Sequence, residues 1–364
     1  MKVAYVCPFD LGRCTGTPIR ARRTIEAVRE YCDTAVIDPY VHDSRRSSAG
    51  GPDRTSGPGQ VAGFIASSVR QLRQFKPDIV HAFTAAAVPA AVAYRSFNPR
   101  TRIVFEMHGL TELEMTSRRR MSRLWGKSID RLGLWSAAAV IVMSHSQKRL
   151  LEDRWPWLSC RTHVLWAPTA QVPVWQDLPE SRPMKIGYLG NAAPWQGLGT
   201  VIGAARLLSA DPSIVFLLGG VSADHLPLDA PPSVEARSVP AAEGGSFLAG
   251  CHVLLSTRVG GLVARMQFPQ KLADYLAAGR PVVVSDVGDQ AEIVRDHDLG
   301  AVFRPEDAES LAQAISTLAS QDADQLREIG RRAHTFAATV LSPAAHRDRL
   351  LALYEATLRQ KAWG

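Results

Sequence analysis

Phe268-Pro269-Gln270-Lys271-Leu272-Ala273-Asp274-Tyr275-Leu276-Ala277-Ala278-Gly279-Arg280-Pro281-Val282-Val283-Val284-Ser285-Asp286 reads as a helix running straight into a buried strand. Pro269 suits a first helical position, where the N–H it lacks would have had no partner. Gly279 supplies the positive φ that ends a helix, and Pro281 blocks its continuation. The run Val282-Val283-Val284 is short and β-branched, the pattern of a strand covered on both faces. Lys271 and Asp274 stand three residues apart and share a face of the first turn. The free backbone N–H groups of that turn favour an anion. A cation, a carboxylate and such a helix end can hold a ribose joined to a diphosphate. An ordinary surface helix with one ion pair has the same spacing.

This run resembles the donor-binding helix of the retaining nucleotide-sugar glycosyltransferases with two Rossmann-like domains, the GT-B fold of family 4 type. The subgroup it resembles carries Pro-x-Lys-x-x-acid-Tyr-x-Ala-x-Gly-x-Pro-Val-Val. Here Pro269, Lys271, Asp274, Tyr275, Ala277, Gly279, Pro281, Val282 and Val283 fill that pattern. The resemblance implies an α/β protein with two Rossmann-like domains facing across a cleft. Residues 1–166 form the acceptor domain and 184–342 the nucleotide-sugar donor domain. The proline-rich stretch 167–183 is expected to be a semi-rigid linker. A terminal helix within 343–364 crosses back to complete the first domain.

Length and composition agree with two α/β cores: 364 residues, of which 46% are hydrophobic. No run of about 18 apolar residues is present, so no spanning helix is expected. The opening Met1-Lys2-Val3-Ala4-Tyr5-Val6 is strand-like and too short for a secretory signal. Five scattered cysteines suit a reducing cytoplasm, and Cys7 and Cys14 read as small buried residues rather than half of a zinc site. A net charge of +7 is compatible with an anionic lipid or a diphosphate. No nucleic-acid motif spacing appears, so nucleic acid is not an expected partner.

Strands and helices alternate along both halves, as a doubly wound parallel sheet requires. The loop after the first strand carries Gly16 and Thr17 ahead of a helix from about Ile19 to Glu30. Glycine there lets the backbone pass close to a ligand, and the helix end attracts negative charge. The related enzymes keep a glycine-containing loop here, which makes Gly16 and Thr17 donor-site candidates. Residues 41–60 are rich in Ser, Arg, Gly and Pro and read as a mobile loop. Lys76-Pro77-Asp78-Ile79-Val80-His81 is a strand entry common in the resembling family. His81 and His108 both fall at strand ends, where open α/β sheets bind ligands. The resemblance favours His108 as the one lining the acceptor side. Residues 117–127, with Leu132, Leu134 and Trp135 beyond, read either as a solvated basic face or as an amphipathic helix resting on anionic lipid. A terminal helix over His346–Gln360 carries Leu350, Leu353, Tyr354 and Leu358 on one stripe.

A glycosyl donor develops positive charge on the sugar and negative charge on the departing diphosphate. Cations and backbone N–H groups must meet that charge, and water must be kept out. In the resembling enzymes an Arg and a Lys in the first turn of the second domain contribute. Here Gly190-Asn191 and Gln196-Gly197 stand in those places, and both charges are missing. Lys271, helped by Arg265 or Arg258, is therefore expected to carry more of the load. The family's two acids flank seven residues. Met266 occupies the first place and Asp274 the second, which contacts ribose. Gln267 can stand in for the lost acid, and Phe268 completes the donor run. Gly219, Gly220 and Val239 fall on turns able to flank the base.

The resemblance implies His108 and Lys271 as catalytic residues. It implies retention through same-face attack assisted by the leaving phosphate, with no bound metal and no cofactor. The nucleotide-diphosphate sugar is then a co-substrate. The acceptor is a saccharide, a lipid-linked saccharide or a small metabolite. The expected place is the cytoplasm, with peripheral contact at the inner face of the membrane. Two alternatives stay open. One is a catalytically degenerate nucleotide-binding subunit of a glycosylation complex, motivated by Asn191, Gln196 and Met266. The other is a sugar epimerase on the same architecture.

Overall fold

The computed structural model describes residues 1–13, 16–38, 58–114 and 120–360, with backbone alone for residues 58, 112, 114 and 120–123. Cys14 and residues 41–57 of the expected loop lie outside these, as do residues 117–119 of the basic segment. The chain divides into two compact units, Met1–Trp166 with Pro343–Gly364, and Ala167–Ser342.

In the first unit the chain runs β1 (Lys2–Val6), α1 (Gly16–Val28), β2 (Asp33–Ile37), α2 (Pro58–Phe75), β3 (Ile79–Phe83), α3 (Val88–Phe97), β4 (Arg102–Met107), α4 (Thr111–Glu114), α5 (Arg120–Ser136), β5 (Ala139–Val142), α6 (His145–Arg154) and β6 (Thr162–Val164). The sheet order is β2-β1-β3-β4-β5-β6, and all neighbours are parallel. Every residue of β3 and β5 is buried. That explains why these strands show no polar alternation: both faces are covered. The strand order reverses between β1 and β3, which opens a crevice beyond their carboxyl ends.

The second unit repeats the plan with β7 (Met184–Leu189), α7 (Leu198–Leu207), β8 (Ile214–Gly219), β9 (Val234–Arg237), α8 (Gly244–Ala249), β10 (Val253–Ser256), α9 (Leu262–Met266), α10 (Gln270–Ala277), β11 (Val282–Ser285), α11 (Asp289–Asp296), β12 (Gly300–Phe303), α12 (Ala308–Ala319) and α13 (Ala323–Phe336). Its order is β12-β11-β10-β7-β8-β9, again all parallel. Here the order reverses between β7 and β10. Val282, Val283 and Val284 are wholly buried, and each such side chain contributes about 1.5–3 kcal/mol.

The last helix, α14 (Pro343–Arg359), belongs to the first unit and packs along α1. Its buried stripe is His346, Leu350, Tyr354 and Thr357. Leu353 is only partly buried against the core, and Leu358 is exposed. The expected stripe is thus corrected at Leu358, because one residue beyond Thr357 turns about 100° away from the core.

Other boundaries move as well. Helix α1 begins at Gly16 rather than Ile19, and residues 58–60 open α2 rather than continuing a loop. Pro269 is the residue before α10, not its first residue. It is extended, with φ −72° and ψ 120°, and its carbonyl accepts from the Leu272 N–H at 3.0 Å. A capping position needs that non-helical backbone and its carbonyl, not its N–H. Gly279 takes φ 66° at the far end, as a helix stop requires.

Candidate functional site

The second unit gathers its polar chemistry around the carboxyl ends of β7 and β10. Tyr275, on α10, ties its hydroxyl to both backbone groups of Leu189: it donates to the carbonyl at 3.0 Å and accepts from the N–H at 2.8 Å. The Tyr188 hydroxyl donates to the Asn191 carbonyl at 2.6 Å. These bonds fix the turn after β7 against α10. Gly190 fits there because it has no side chain: a Cβ would stand 2.6 Å from Lys271 Nζ. Gly220 has φ 77°, and a Cβ on it would come within 2.8 Å of the Gly190 carbonyl oxygen. The three groups form one close-packed step.

Lys271 is half-buried as a residue, but its Nζ is shielded from solvent and has no hydrogen-bond partner among the described residues. Its Nζ lies 4.0 Å from the Tyr188 ring centroid. Burial first, and the Arg258 charge second, push the ammonium pKa down to about 7. Arg258 follows β10 and is itself buried. Its guanidinium donates to the Gln267 carbonyl at 3.2 Å and to Gln267 Oε1 at 2.8 Å. Burial lowers its pKa to about 10. Two cations therefore lie near one another at the switch point of the sheet, and among the described residues neither is bonded to a carboxylate.

Asp274 lies on the same helix but turns to a different partner. Its Oδ1 is 3.0 Å from the Thr169 hydroxyl and 3.4 Å from the Ala170 N–H. It thereby helps to hold the stretch Ala167–Pro183, which carries no helix or strand. Gln270 donates to the Pro168 carbonyl at 2.8 Å. The fully buried Arg280 donates to the carbonyls of Gln176, Asp177, Ala249, Ala278 and Gly279. The proline-rich stretch is thus bonded along much of its length to the second unit.

The remaining donor candidates separate by exposure. Met266 and Phe268 are buried, so both side chains serve packing. Gln267 is half-buried and orients Arg258. Arg265 is exposed on α9. Asn191 is exposed and bends its own turn, accepting from the Ala193 N–H at 3.2 Å. A Cβ on Gly219 would meet Leu189, Phe247 and Val239, which places Val239 beside the β8 end. Val239 also lines a groove of about 360 Å³ with Lys185, Arg237, Ser238 and Phe247.

The first unit holds a second polar cluster. Glu106, near the end of β4, is wholly buried. Its Oε1 accepts from Arg20 Nε at 2.8 Å and lies 2.8 Å from His108 Nε2. Its Oε2 lies 3.3 Å from His81 Nε2, within ion-pair reach but off the line of a hydrogen bond. Burial alone would raise the carboxyl pKa. Arg20 and the two histidines outweigh it and hold the group well below the ordinary carboxylate range. His108 Nδ1 is 3.1 Å from the Thr17 hydroxyl, and His81 Nδ1 is 2.6 Å from the Tyr354 hydroxyl. Gly16 is exposed, with open space where a Cβ would stand. Sequence reasoning finds Thr17 and His108, reads Arg20 only as basic charge near the Gly16 loop and Tyr354 only as part of an apolar stripe, and misses Glu106. The one available signal was an acid inside the apolar run of β4. No group of three or more His, Cys, Asp or Glu among the described residues could hold a metal.

Comparison with known proteins gives a consistent result. Residues 183–321 match the family model for glycosyl transferases group 1, and residues 26–166 match that for glycosyltransferase family 4. A sucrose-phosphate synthase from Thermosynechococcus elongatus has a similar fold, with TM-score 0.75, 17% identity and 98% of each chain covered. So does the HepE protein of Anabaena, solved with UDP-glucose, at TM-score 0.74 and 17% identity over 98% of this chain and 100% of that one. A glycosyltransferase from Rickettsia africae aligns at TM-score 0.76 and 14% identity over 99% of both. One curated relative, an exopolysaccharide phosphotransferase of Streptomyces coelicolor, is 44% identical over 79 residues. That match spans 20% of this chain and 8% of the relative's length.

Proposed function

This chain belongs to the group 1, family 4 glycosyltransferases of GT-B fold, and from that premise we propose that it moves a sugar from a nucleotide-diphosphate sugar to a hydroxyl acceptor with retention of configuration. The observation that carries this reading is the pair Lys271 and Arg258. Burying a cation without a counter-charge is costly. A pair of them, at the switch point where α/β sheets bind ligands, favours a ligand bearing two negative charges. A diphosphate matches that need.

On this reading Lys271 and Arg258 replace the charges missing at Asn191 and Gln196. They neutralise the leaving diphosphate as the bond to the sugar breaks. The first turn of α10 adds backbone N–H groups. Lys271 stands half-protonated near neutral pH in the free protein and becomes fully charged against the ligand. Asp274 contacts the ribose only by sharing or leaving Thr169. His108 is read as touching a substrate sugar hydroxyl, and the leaving phosphate takes the acceptor proton. HepE was solved with UDP-glucose, so UDP-sugars are the first donors to test.

The test is calorimetric titration with UDP, GDP and their sugars, followed by donor turnover. A nucleoside diphosphate should bind and raise the unfolding midpoint by mass action, and Lys271→Met should weaken the binding. Absence of binding by any nucleotide overturns the reading. Binding without hydrolysis or transfer on any acceptor favours the degenerate-subunit alternative.

A lipid-linked acceptor is favoured by α5. No helix among the described residues is long and apolar enough to cross a membrane. Yet Leu124, Trp125 and Trp135 are exposed on α5, beside the exposed Lys127 and Arg131. Leu134 faces inward instead. Aromatic and basic residues together suit the surface of an anionic bilayer. Co-sedimentation with phosphatidylserine vesicles should occur at low salt and vanish at high salt. Failure to pellet at low salt removes this part of the proposal.

A further inference from the structure

We propose that Glu106 is the positioning residue that fixes His108 in a single tautomer, with the hydrogen on Nε2 and the Nδ1 lone pair turned toward the place now taken by the Thr17 hydroxyl. This rests on the reading that His108 touches a substrate sugar hydroxyl. The geometry supplies the argument. Glu106 is wholly buried and keeps its charge because Arg20 Nε sits 2.8 Å from Oε1. An ionised carboxylate can only accept hydrogen bonds. His108 Nε2, also 2.8 Å from Oε1, must therefore carry the hydrogen. In the neutral ring Nδ1 is then the acceptor, and the Thr17 hydroxyl at 3.1 Å donates to it.

Thr17 sits in the first turn of α1, next to the open position at Gly16. Its hydroxyl marks a spot from which a small polar group can reach Nδ1. A sugar hydroxyl arriving there takes the place of the Thr17 hydroxyl at an acceptor already oriented, which is how a fixed imidazole contributes to orientation.

The carboxylate is itself held from several sides. Arg20 also donates to the Leu165 carbonyl at 2.7 Å. His81 lies on the Oε2 side, at 3.3 Å. Tyr354 of α14 holds His81 through Nδ1 at 2.6 Å, and its hydroxyl lies 3.1 Å from that of Tyr5. Helix α14 thereby reaches the candidate catalytic histidine through Tyr354, His81 and Glu106. A plain structural ion pair between Arg20 and Glu106 would not need the histidine on the same oxygen.

The full-length protein, labelled with 15N-histidine, tests this through long-range proton–nitrogen correlation, with His108→Gln identifying the signal. The expected result is the Nε2–H tautomer for His108, retained in Thr17→Val because the carboxylate sets it. In Glu106→Gln the tautomers should mix. Turnover should then fall on the order of 100-fold with the donor KM nearly unchanged. An Nδ1–H tautomer in the unmodified protein overturns the proposal, as does a tautomer switch in Thr17→Val. A folded Glu106→Gln enzyme with undiminished turnover does the same. If Glu106→Gln does not fold, the first two measurements still decide. If His108→Gln keeps full activity while the tautomer is as expected, the substrate role of His108 fails and the positioning by Glu106 stands.

Discussion

Glu106 in the first unit and Lys271 in the second are both charged residues taken out of water near the carboxyl ends of a parallel sheet. Their surroundings differ in one respect. Glu106 has Arg20 and two histidines around it, so its charge is compensated within the fold. Lys271 has an aromatic face and a second cation near it, and its Nζ makes no hydrogen bond among the described residues. The first arrangement is complete without a ligand and holds a geometry. The second is incomplete and gains most from an incoming anion. A buried charge with its partners reads as positioning, and a buried charge without them reads as binding.

The comparison can be broken most forcefully at Arg20. Arg20→Leu leaves Glu106 buried without its cation and should cost about 3–5 kcal/mol, read as a lower urea midpoint. Because the Glu106 pKa is depressed in the folded state, its contribution is present above the ordinary carboxylate pKa and is lost as pH falls through the folded value. An unchanged midpoint would mean that the cluster is not the compensated one.

Lys271→Met should act in the opposite sense. Transfer should drop by roughly 100-fold or more, while the unfolding temperature holds or rises, since an unpaired buried cation is removed. A large loss of stability would show that Lys271 has a structural partner after all.

Proton linkage sharpens the same contrast. The Lys271 pKa is lowered to about 7, so at pH values between there and its ordinary value the folded protein binds fewer protons than the unfolded chain. Below that window the buried charge is a burden on folding, and the burden lifts as pH rises through it. Binding of UDP at pH 8 should therefore take up close to one proton, and at pH 6 close to none. Titrations in buffers of different ionisation enthalpy measure this, and Lys271→Met should erase the difference.

The smallest effect is expected at His346, which bonds Thr24 across the α1–α14 contact at 3.1 Å. Burial first, and Arg20 second, hold its pKa down to about 3. It is buried neutral, so stability is lost as pH falls from its ordinary value toward the folded one. His346→Gln should flatten the stability–pH slope between pH 6.5 and 4 and change little at pH 8.

Much of the fold is legible locally. Strands β7 and β12 have the bounds that apolar runs and flanking turns imply. The stop at Gly279 follows from the need for positive φ. Helix α13 is equally legible, since Asp322 and Gln325 form a capping box at its start. Within the site, the spacing of Lys271 and Asp274 reveals a shared turn but not their separate partners. Asp274 faces Thr169, which is over a hundred positions away in sequence. Met266 looks like a substitute for an acid in the motif, yet its side chain is in the core.

The sequence by itself determined the α/β class, the repetition of one plan in both halves, and the helix that carries Lys271. These depend on periodicity, turn chemistry and apolar runs, all of which act over a few residues. Only the tertiary structure decided which charges are compensated. Arg20, His81, Glu106 and Tyr354 come from four separate elements, with His108 in the loop just after β4, and Lys271 and Arg258 meet across another fold connection. Whether a buried charge has a partner depends on distances through a low-dielectric interior, and no local pattern along the chain encodes those distances.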